Sequence, residues 1–173
     1  MVFLNTNELM LFLNKTVEQK LSEKDPEDIK IEIATYGLSF SDRTIENAIG
    51  ELKTQESLAR EFIEKLMGTN ADIIVGIPPE KKYKNTHYGD TRSERRNRID
   101  YLEEVASDYN IKIYPVEQSH LKFYRIDDVY ITGGINLTDS MWNDAAVLIE
   151  KKKDKEKLDW YFQQILDRAK CGC

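Results

Sequence analysis

The sequence predicts an α/β fold, a mixed β-sheet flanked by helices, in a single domain that spans residues 1–173. Short apolar or alternating segments typical of strands are separated by segments whose apolar residues recur at helical spacing. Such an alternation is characteristic of helices packed on a sheet. A chain of 173 residues suits one domain, and no linker divides it.

The first part of the chain begins with an N-terminal helix region, residues 1–25, for which Thr6 or Asn7 is the expected N-cap. Alternating isoleucines predict a strand from residue 29, and residues 44–52 have a helical pattern. The next helix is expected to bury one stripe of residues: Leu58, Phe62, Ile63, Leu66 and Met67. The apolar segment 71–79, which ends in two prolines, predicts a second strand.

The second part of the chain begins with a charged segment, residues 81–98, that is predicted to form a basic loop and to run into a helix over residues 95–110. Strands are then expected at 111–117, 119–126, 129–134 and 145–152, with a turn at Asp127 and Asp128. The closing helix is expected to bury a further set of residues: Leu158, Tyr161, Phe162, Ile165 and Leu166. This order of strands and helices completes the predicted sheet.

Composition limits the classes of partner. The formal net charge of −6 excludes a global basic field, so any contact with nucleic acid requires a local patch. No apolar run is long enough to cross a bilayer, and the N-terminus lacks the features of a secretion signal. The only cysteines, Cys171 and Cys173, lie at the end of the chain, which favours a reduced setting. We therefore expect a cytoplasmic protein without a membrane partner.

The segment from His120 to Asn136 contains the residues with the clearest chemical potential. Because side chains alternate along a strand, His120, Lys122 and Tyr124 are expected to share one face. The strand that returns after the turn ends in Gly133 and Gly134, which let backbone approach a ligand closely. A nucleophilic imidazole, a fixed positive charge and an amide donor at one strand end suit attack on a phosphodiester.

These residues also form a recognisable motif. The segment HLKFYRID satisfies H-x-K-x4-D with His120, Lys122 and Asp127, and in this it resembles the phospholipase D superfamily. The segment GGIN matches that family's G-S-x-N at Gly133 and Asn136. The resemblance extends weakly over most of the chain, to small bacterial endonucleases of the superfamily, and implies a phospholipase D-like single lobe.

The match has two departures. The family serine is replaced by Gly134, so a supporting hydroxyl is missing, and Thr132 or Thr138 is the candidate to replace it. The family's acidic residue corresponds to Asp144, an aspartate in place of the commoner glutamate. By resemblance, Asp144 orients an imidazole through a hydrogen bond. Both departures bear on the rate of the reaction more than on its type.

The resemblance implies a homodimer. Members of the superfamily use two copies of the motif, one histidine forming a phosphohistidine and the other protonating the leaving oxygen. This chain has one copy, because its only other histidine, His87, has no lysine two positions later. A two-fold dimer that brings two His120 side chains to one phosphate would complete the site. The reaction is then expected to need neither a metal nor another cofactor.

The basic segment 81–98 predicts the substrate. Its seven basic residues outnumber Asp90 and Glu94, and aromatic residues lie among them. This pattern favours a phosphate backbone with stacked bases, although it is also typical of a solvated loop. The candidate DNA- or RNA-binding residues are Lys81, Lys82, Lys84, Arg92, Arg95 and Arg96. Two alternatives to a nuclease stay open: an enzyme for another phosphodiester, such as a phospholipid or nucleotide derivative, and a non-catalytic nucleic-acid-binding module.

Overall fold

The structure, a computed structural model, describes residues 2–39, 55–79, 91–138 and 144–171. At residues 39, 55–57, 91–93 and 138 it describes the backbone alone. The predicted helix at 44–52 lies outside the described residues. The fold is α/β with a mixed sheet between helices, which confirms the predicted class.

Nine strands are described, seven of them in one sheet. They are β1 (Phe3–Leu4), β2 (Lys30–Thr35), β3 (Leu38–Ser39), β4 (Asn70–Ile77), β5 (Lys112–Glu117), β6 (Phe123–Ile126), β7 (Val129–Gly133), β8 (Leu137–Thr138) and β9 (Ala146–Leu148). The order in the large sheet is β1-β9-β7-β6-β2-β4-β5, and β3 pairs with β8 separately. Strands β2, β4 and β5 are parallel, whereas β6, β7, β9 and β1 each pair antiparallel with their neighbours.

The described helices are α1 (Thr6–Glu23), α2 (Gln55–Lys65), α3 (Thr91–Tyr109) and α4 (Lys152–Cys171). A short 3-10 turn, Pro26–Asp28, precedes β2. No helix within these ranges combines the length and apolar character needed to cross a lipid bilayer.

The N-cap of α1 is Asn5, and not Thr6 or Asn7 as predicted. The Asn5 side chain accepts a hydrogen bond from the Glu8 backbone N–H at 3.0 Å, and the Glu8 carboxylate accepts one from the Asn5 N–H at 2.8 Å. This reciprocal pair is a capping box, which satisfies two backbone donors at the start of the helix. The glutamate three residues after Asn5 is the sequence signal for this cap.

Two apolar clusters cover the two faces of the sheet. Helices α1, α2 and α3 pack on one face, where Ile31, Ile33 and Tyr124 are buried. Helix α4 packs on the other face, where Phe162 and Leu166 share a buried cluster with Phe123 and the Phe162 ring contacts the Phe123 ring. Because side chains alternate along a strand, the central strands β2 and β4 contribute to both clusters. The sheet is therefore the middle layer of three.

Two residues of the predicted helical stripes are solvent-exposed. Met67 is 48% exposed because α2 ends at Lys65, so Met67 lies in the following turn rather than on the helix stripe. Tyr161 is 55% exposed and packs edge-on against Trp160, one position off the stripe that contains Phe162. The stripes themselves are confirmed by their remaining members.

Three predicted boundaries differ from the structure. Residues 119–122 precede β6 without strand structure, and β9 has three residues in place of the predicted eight. Helix α3 begins at Thr91, four residues before the predicted start at Arg95, so the end of the predicted basic loop is helical. Residues 81–90 lie outside the described residues. The basic residues Arg92, Arg95, Arg96 and Arg98 therefore lie on a helix and not in a loop.

Candidate active site

The strand directions bring most of the predicted site residues to one end of the sheet. Strands β2, β4 and β7 end there, whereas β6 and β9 begin there. His120 and Lys122 precede β6, and Asp144 precedes β9. The GGIN segment begins at Gly133, the last residue of β7. We call this region, with His120, Lys122, Gly134, Asn136 and Asp144, the His120 end of the sheet.

Tyr36, which the sequence analysis missed, lies at the centre of the His120 end. It directly follows β2, and its ring stacks on the His120 imidazole with centroids 4.3 Å apart and planes 10° apart. The Lys122 ammonium nitrogen lies 5.9 Å from the centroid of the same ring. The exposed imidazole and the half-buried ammonium group therefore share one aromatic neighbour.

Asn136 is held by its side-chain oxygen. Its Oδ1 accepts hydrogen bonds from the backbone N–H of Tyr36 at 3.0 Å and from that of Gly37 at 3.4 Å. The Thr35 hydroxyl lies at 3.4 Å from the same oxygen. The two backbone N–H donors fix the orientation of the Asn136 amide, since only the oxygen of an amide group can accept a hydrogen bond. Among the described residues nothing accepts a hydrogen bond from the Asn136 Nδ2, so two N–H donors remain for a ligand.

Buried hydrogen bonds support this end of the sheet from below. The Thr35 hydroxyl donates to the Gly37 carbonyl at 2.7 Å and accepts from the Leu137 N–H at 3.0 Å. The Tyr124 hydroxyl donates to the Ile135 carbonyl at 3.0 Å, and burial raises the pKa of Tyr124. Tyr124 was expected to share a face with His120 and Lys122, but it is buried in the core. Its role is to hold the chain that leads to Asn136.

Gly133 and Gly134 allow two chain segments to approach closely. A Cβ atom on Gly133 would lie only 2.3 Å from the Ala145 carbonyl oxygen. Any side chain at position 133 would therefore clash with the backbone of Ala145. A Cβ on Gly134 would lie 3.1 Å from the Asp144 carboxyl carbon. Position 134, where the family has serine, therefore faces the predicted acidic residue. Within one chain, no hydrogen bond joins the exposed Asp144 carboxylate to His120 among the described contacts.

The two threonines predicted to replace the missing serine differ in outcome. The Thr132 hydroxyl donates to the Lys122 carbonyl at 2.8 Å. It therefore fixes the backbone of Lys122, and its hydrogen is not available to a phosphate. Thr138 is the second residue of β8, which follows the GGIN segment, and its side chain lies outside the described part of the structure.

Asp127, the last residue of the motif, lies at the opposite end of β6. Its carboxylate pairs with the Lys24 ammonium at 2.7 Å and accepts the Lys30 N–H at 3.0 Å. Burial alone would raise the pKa of Asp127, but Lys24 and the Lys30 N–H outweigh it and lower this pKa. Asp127 therefore holds the β6–β7 turn, at the end of the sheet away from His120. We call this region the Asp127 end of the sheet. The predicted supporting role of Asp127 in the site stays a prediction.

Arg98 of α3 is a second residue that the predicted set lacked. Its guanidinium group donates to the backbone carbonyls of Tyr36 and Gly76, both at 3.3 Å. The guanidinium carbon lies 5.4 Å from the centroid of the Tyr36 ring, within the range of a cation–π contact. Arg98 thus joins the ends of β2 and β4 next to the stacked imidazole.

The predicted nucleic-acid-binding residues separate into three groups. Arg95 donates to the Pro78 carbonyl at 3.0 Å and pairs with Glu117, so its charge is used within the fold. Arg96 is exposed, with its nearest carboxylate oxygen, that of Asp100, 4.0 Å away. Lys81, Lys82 and Lys84 lie outside the described residues, and of Arg92 only the backbone is described. Arg95 therefore has a structural role within the fold, and its contact with nucleic acid stays a prediction.

Comparison with known proteins finds no matching family model and no matching curated protein. Among solved structures, the chain is similar to TrmBL2, described as an archaeal chromatin protein whose structure shows a novel mode of DNA binding. The two chains are 13% identical, with a TM-score of 0.48 over 96% of this chain and 52% of TrmBL2. The chain thus spans about half the length of that protein. A similarity at this level carries no functional argument, and the phospholipase D resemblance stays a prediction from the motif.

Proposed function

We propose that the chain is a metal-independent phosphodiesterase, a nuclease that cleaves DNA or RNA through a phosphohistidine formed on His120. One observation supports this proposal above the others. His120, Lys122 and Asn136 all contact or approach Tyr36 at one end of the sheet. Within the described chain, no carboxylate neutralises Lys122. A nucleophilic nitrogen, an unneutralised cation and two free amide donors therefore all have Tyr36 as a neighbour.

These groups match the charges that develop during the reaction. A neutral His120 nitrogen attacks phosphorus, the nitrogen–phosphorus bond forms, and the bond to the leaving oxygen breaks. Lys122 and the Asn136 amide stabilise the two non-bridging oxygens as negative charge grows on them. A second imidazolium donates its proton to the leaving oxygen. The same imidazole then takes a proton from water, whose oxygen displaces the His120 nitrogen from phosphorus.

The second imidazole is the reason for a dimer in this proposal. The first step requires one neutral and one protonated imidazole at a single phosphate. The motif occurs once in the sequence, and His87 lies outside the described residues. A two-fold axis through the His120 end would bring the same residues together twice, including two copies of Lys122. A fully active monomer in sedimentation and activity measurements would contradict this part of the proposal.

Nucleic acid is the proposed substrate because basic residues lie close to the His120 end of the sheet. The exposed Arg96 lies on the same helix as Arg98, which contacts Tyr36 and pairs with Glu94 at 3.7 Å. The rest of the chain is acidic, which would repel a polyanion elsewhere on the surface. Small phosphodiesters and phospholipids are the alternative substrates, and they share the same attack on phosphorus.

The test compares His120→Ala with Asp127→Asn, two changes within the same motif at opposite ends of β6. Each protein is incubated in EDTA with labelled single- and double-stranded DNA, RNA and a phosphatidylcholine reporter. We expect the unmodified chain and Asp127→Asn to cleave nucleic acid, and His120→Ala to be inactive. Hydrolysis of the lipid alone would support the alternative substrate class. Binding of nucleic acid without cleavage by any of the proteins would indicate a non-catalytic module.

A further inference from the structure

The Tyr36 ring occupies space that exists because residue 76 is a glycine. A Cβ atom on Gly76 would lie 2.7 Å from Cδ2 of Tyr36 and 2.1 Å from the Ser119 carbonyl oxygen. Ser119 directly precedes His120 in the sequence. The absence of a side chain at Gly76 therefore allows both the aromatic ring and the backbone before His120 to pack against β4.

The orientation of the ring is fixed through the backbone of Tyr36. Its N–H donates to Asn136, and its carbonyl accepts from Arg98. Arg98 is itself anchored, because it also donates to Gly76. The ring is thus bounded by two hydrogen bonds on its own backbone and by the guanidinium group 5.4 Å from its centroid.

The stack is the contact that orients the imidazole in this chain. Among the described residues, none forms a hydrogen bond with either ring nitrogen of His120. The Tyr36 ring lies almost parallel to the imidazole, at a centroid distance of 4.3 Å. An acidic residue that orients a histidine occupies one of its nitrogens. A stacked ring covers a face of the imidazole and leaves both nitrogens available.

We infer that Tyr36 is a positioning residue that sets the plane of the His120 imidazole, and that Arg98 positions Tyr36 in turn. The effect of Tyr36 on the rate of cleavage rests on the proposed function, whereas its effect on the orientation of the His120 ring does not. A nucleophile must point at phosphorus, and a misplacement of about 1 Å can lower a rate about 100-fold. The Lys122 ammonium lies 5.9 Å from the centroid of the same ring, so the ring also fixes the position of the imidazole relative to this charge.

The structural test is a nuclear magnetic resonance measurement on the His120 ring protons. The chain has two histidines, so a His87→Gln background leaves one set of imidazole resonances. Stacking on a tyrosine is expected to shift these resonances upfield through the ring current. We expect Tyr36→Phe to keep the shift and Tyr36→Leu to remove it. Unchanged His120 resonances in a folded Tyr36→Leu protein would overturn the inference.

Arg98→Gln, with Arg96→Gln as its matched control on the same helix, tests the second half of the inference. The first change removes the guanidinium group at Tyr36, whereas the second removes an exposed one. We expect the His120 resonances to lose part of their upfield shift, and so to move downfield, in Arg98→Gln only. The same spectra in both variants would overturn the role of Arg98. Because Tyr36 is retained in both, this test holds even if Tyr36→Leu unfolds.

The kinetic test separates positioning from substrate contact. In Tyr36→Leu we expect kcat to fall about 100-fold with KM nearly unchanged, and Tyr36→Phe to cleave at close to the original rate. A rise in KM at unchanged kcat would overturn the inference, because Tyr36 would then bind substrate directly. If the unmodified chain cleaves no phosphodiester, the proposed function fails, and the resonance measurements still decide the role of Tyr36.

Discussion

The two ends of the sheet differ in how their charges are paired. At the Asp127 end, Arg125 binds both Glu32 and Asp159 at 2.9 Å, and Lys24 pairs with Asp127. At the His120 end, Lys122 has an aromatic neighbour but no carboxylate partner in the described chain. Paired charges stabilise a fold locally, whereas an unneutralised cation beside free donors is suited to an anionic ligand.

The comparison shows that one sequence motif serves two purposes. Its histidine and lysine lie at the end with the unpaired charge, and its aspartate lies at the end with the ion pairs. Substitutions at the two ends should therefore have separable effects. Those at the His120 end should lower cleavage in a stable protein, and those at the Asp127 end should lower stability in a catalytically competent one.

The largest expected effect is that of His120→Ala on cleavage. Removal of the nucleophile should lower kcat at least about 10⁴-fold, as loss of a catalytic group does in other covalent mechanisms. Because the His120 side chain is exposed apart from its stack on Tyr36, the free energy of unfolding should change by no more than about 1.5 kcal/mol. Initial rates in EDTA and a urea titration measure the two quantities. Cleavage at an undiminished rate would remove His120 from the mechanism.

Lys122→Gln should have the next largest effect. The change keeps a polar side chain but removes the charge that opposes the developing phosphate charge, so kcat should fall about 10²- to 10³-fold. Lys112→Gln is the matched control, since Lys112 is exposed and begins β5 at the other end of the sheet. Equal losses in the two variants would mean that general charge, rather than position, determines the rate.

Asp127→Asn should affect stability instead. Loss of the negative charge that pairs with Lys24 and strengthens the hydrogen bond from the Lys30 N–H should lower the free energy of unfolding by about 2 kcal/mol at neutral pH. The pKa of Asp127 is lowered on folding from its ordinary value of 3.8, so its stabilising contribution is present above that pH. The contribution is lost as pH falls through the folded pKa. Urea titrations at pH 7 and pH 3 should therefore show a smaller difference between the proteins at pH 3.

Activity per folded molecule provides the control for that prediction. Because Asp127 lies at the far end of β6, Asp127→Asn should cleave at the original rate at temperatures where it remains folded. A large loss of kcat in a fully folded Asp127→Asn protein would show that the two ends of the sheet are coupled.

Gly134→Ser should have the smallest effect. The new Cβ would lie 3.1 Å from the exposed Asp144 carboxyl group, which can move slightly to accept it. The serine hydroxyl could then donate to Asp144, and we expect cleavage to rise by up to about tenfold, the value of one hydrogen bond. Gly133→Ser is the contrasting change, because its Cβ would contact the Ala145 carbonyl at 2.3 Å. It should destabilise the protein.

The sequence predicted the positions that follow from strand ends. Apolar periodicity located the strands around His120 and Asn136, and adjacent strands joined by a short turn must bring those residues to the same end. The spacing within the motif also predicts that Asp127 lies apart from His120. At about 3.3 Å per residue, five positions after Lys122 correspond to roughly 16 Å along a strand. Asp127 therefore had to lie far from the imidazole.

The contacts of Tyr36 and Arg98 could not be predicted in the same way. They depend on β2 lying between β6 and β4, an order that does not follow the order of strands in the sequence. Tyr36 meets His120 across 84 positions of sequence only because of that pairing. The available signal was limited to an aromatic residue followed by glycine at the end of a buried strand.

Subunit mixing tests the central claim most directly. The unmodified chain and an excess of His120→Ala are unfolded together, refolded so that the copies pair at random, and assayed in EDTA. If two His120 side chains serve one phosphate, mixed pairs are inactive, and the activity per unmodified chain falls in proportion to its fraction. Activity per unmodified chain that stays constant at every ratio would contradict the account, since each copy would then carry a complete site.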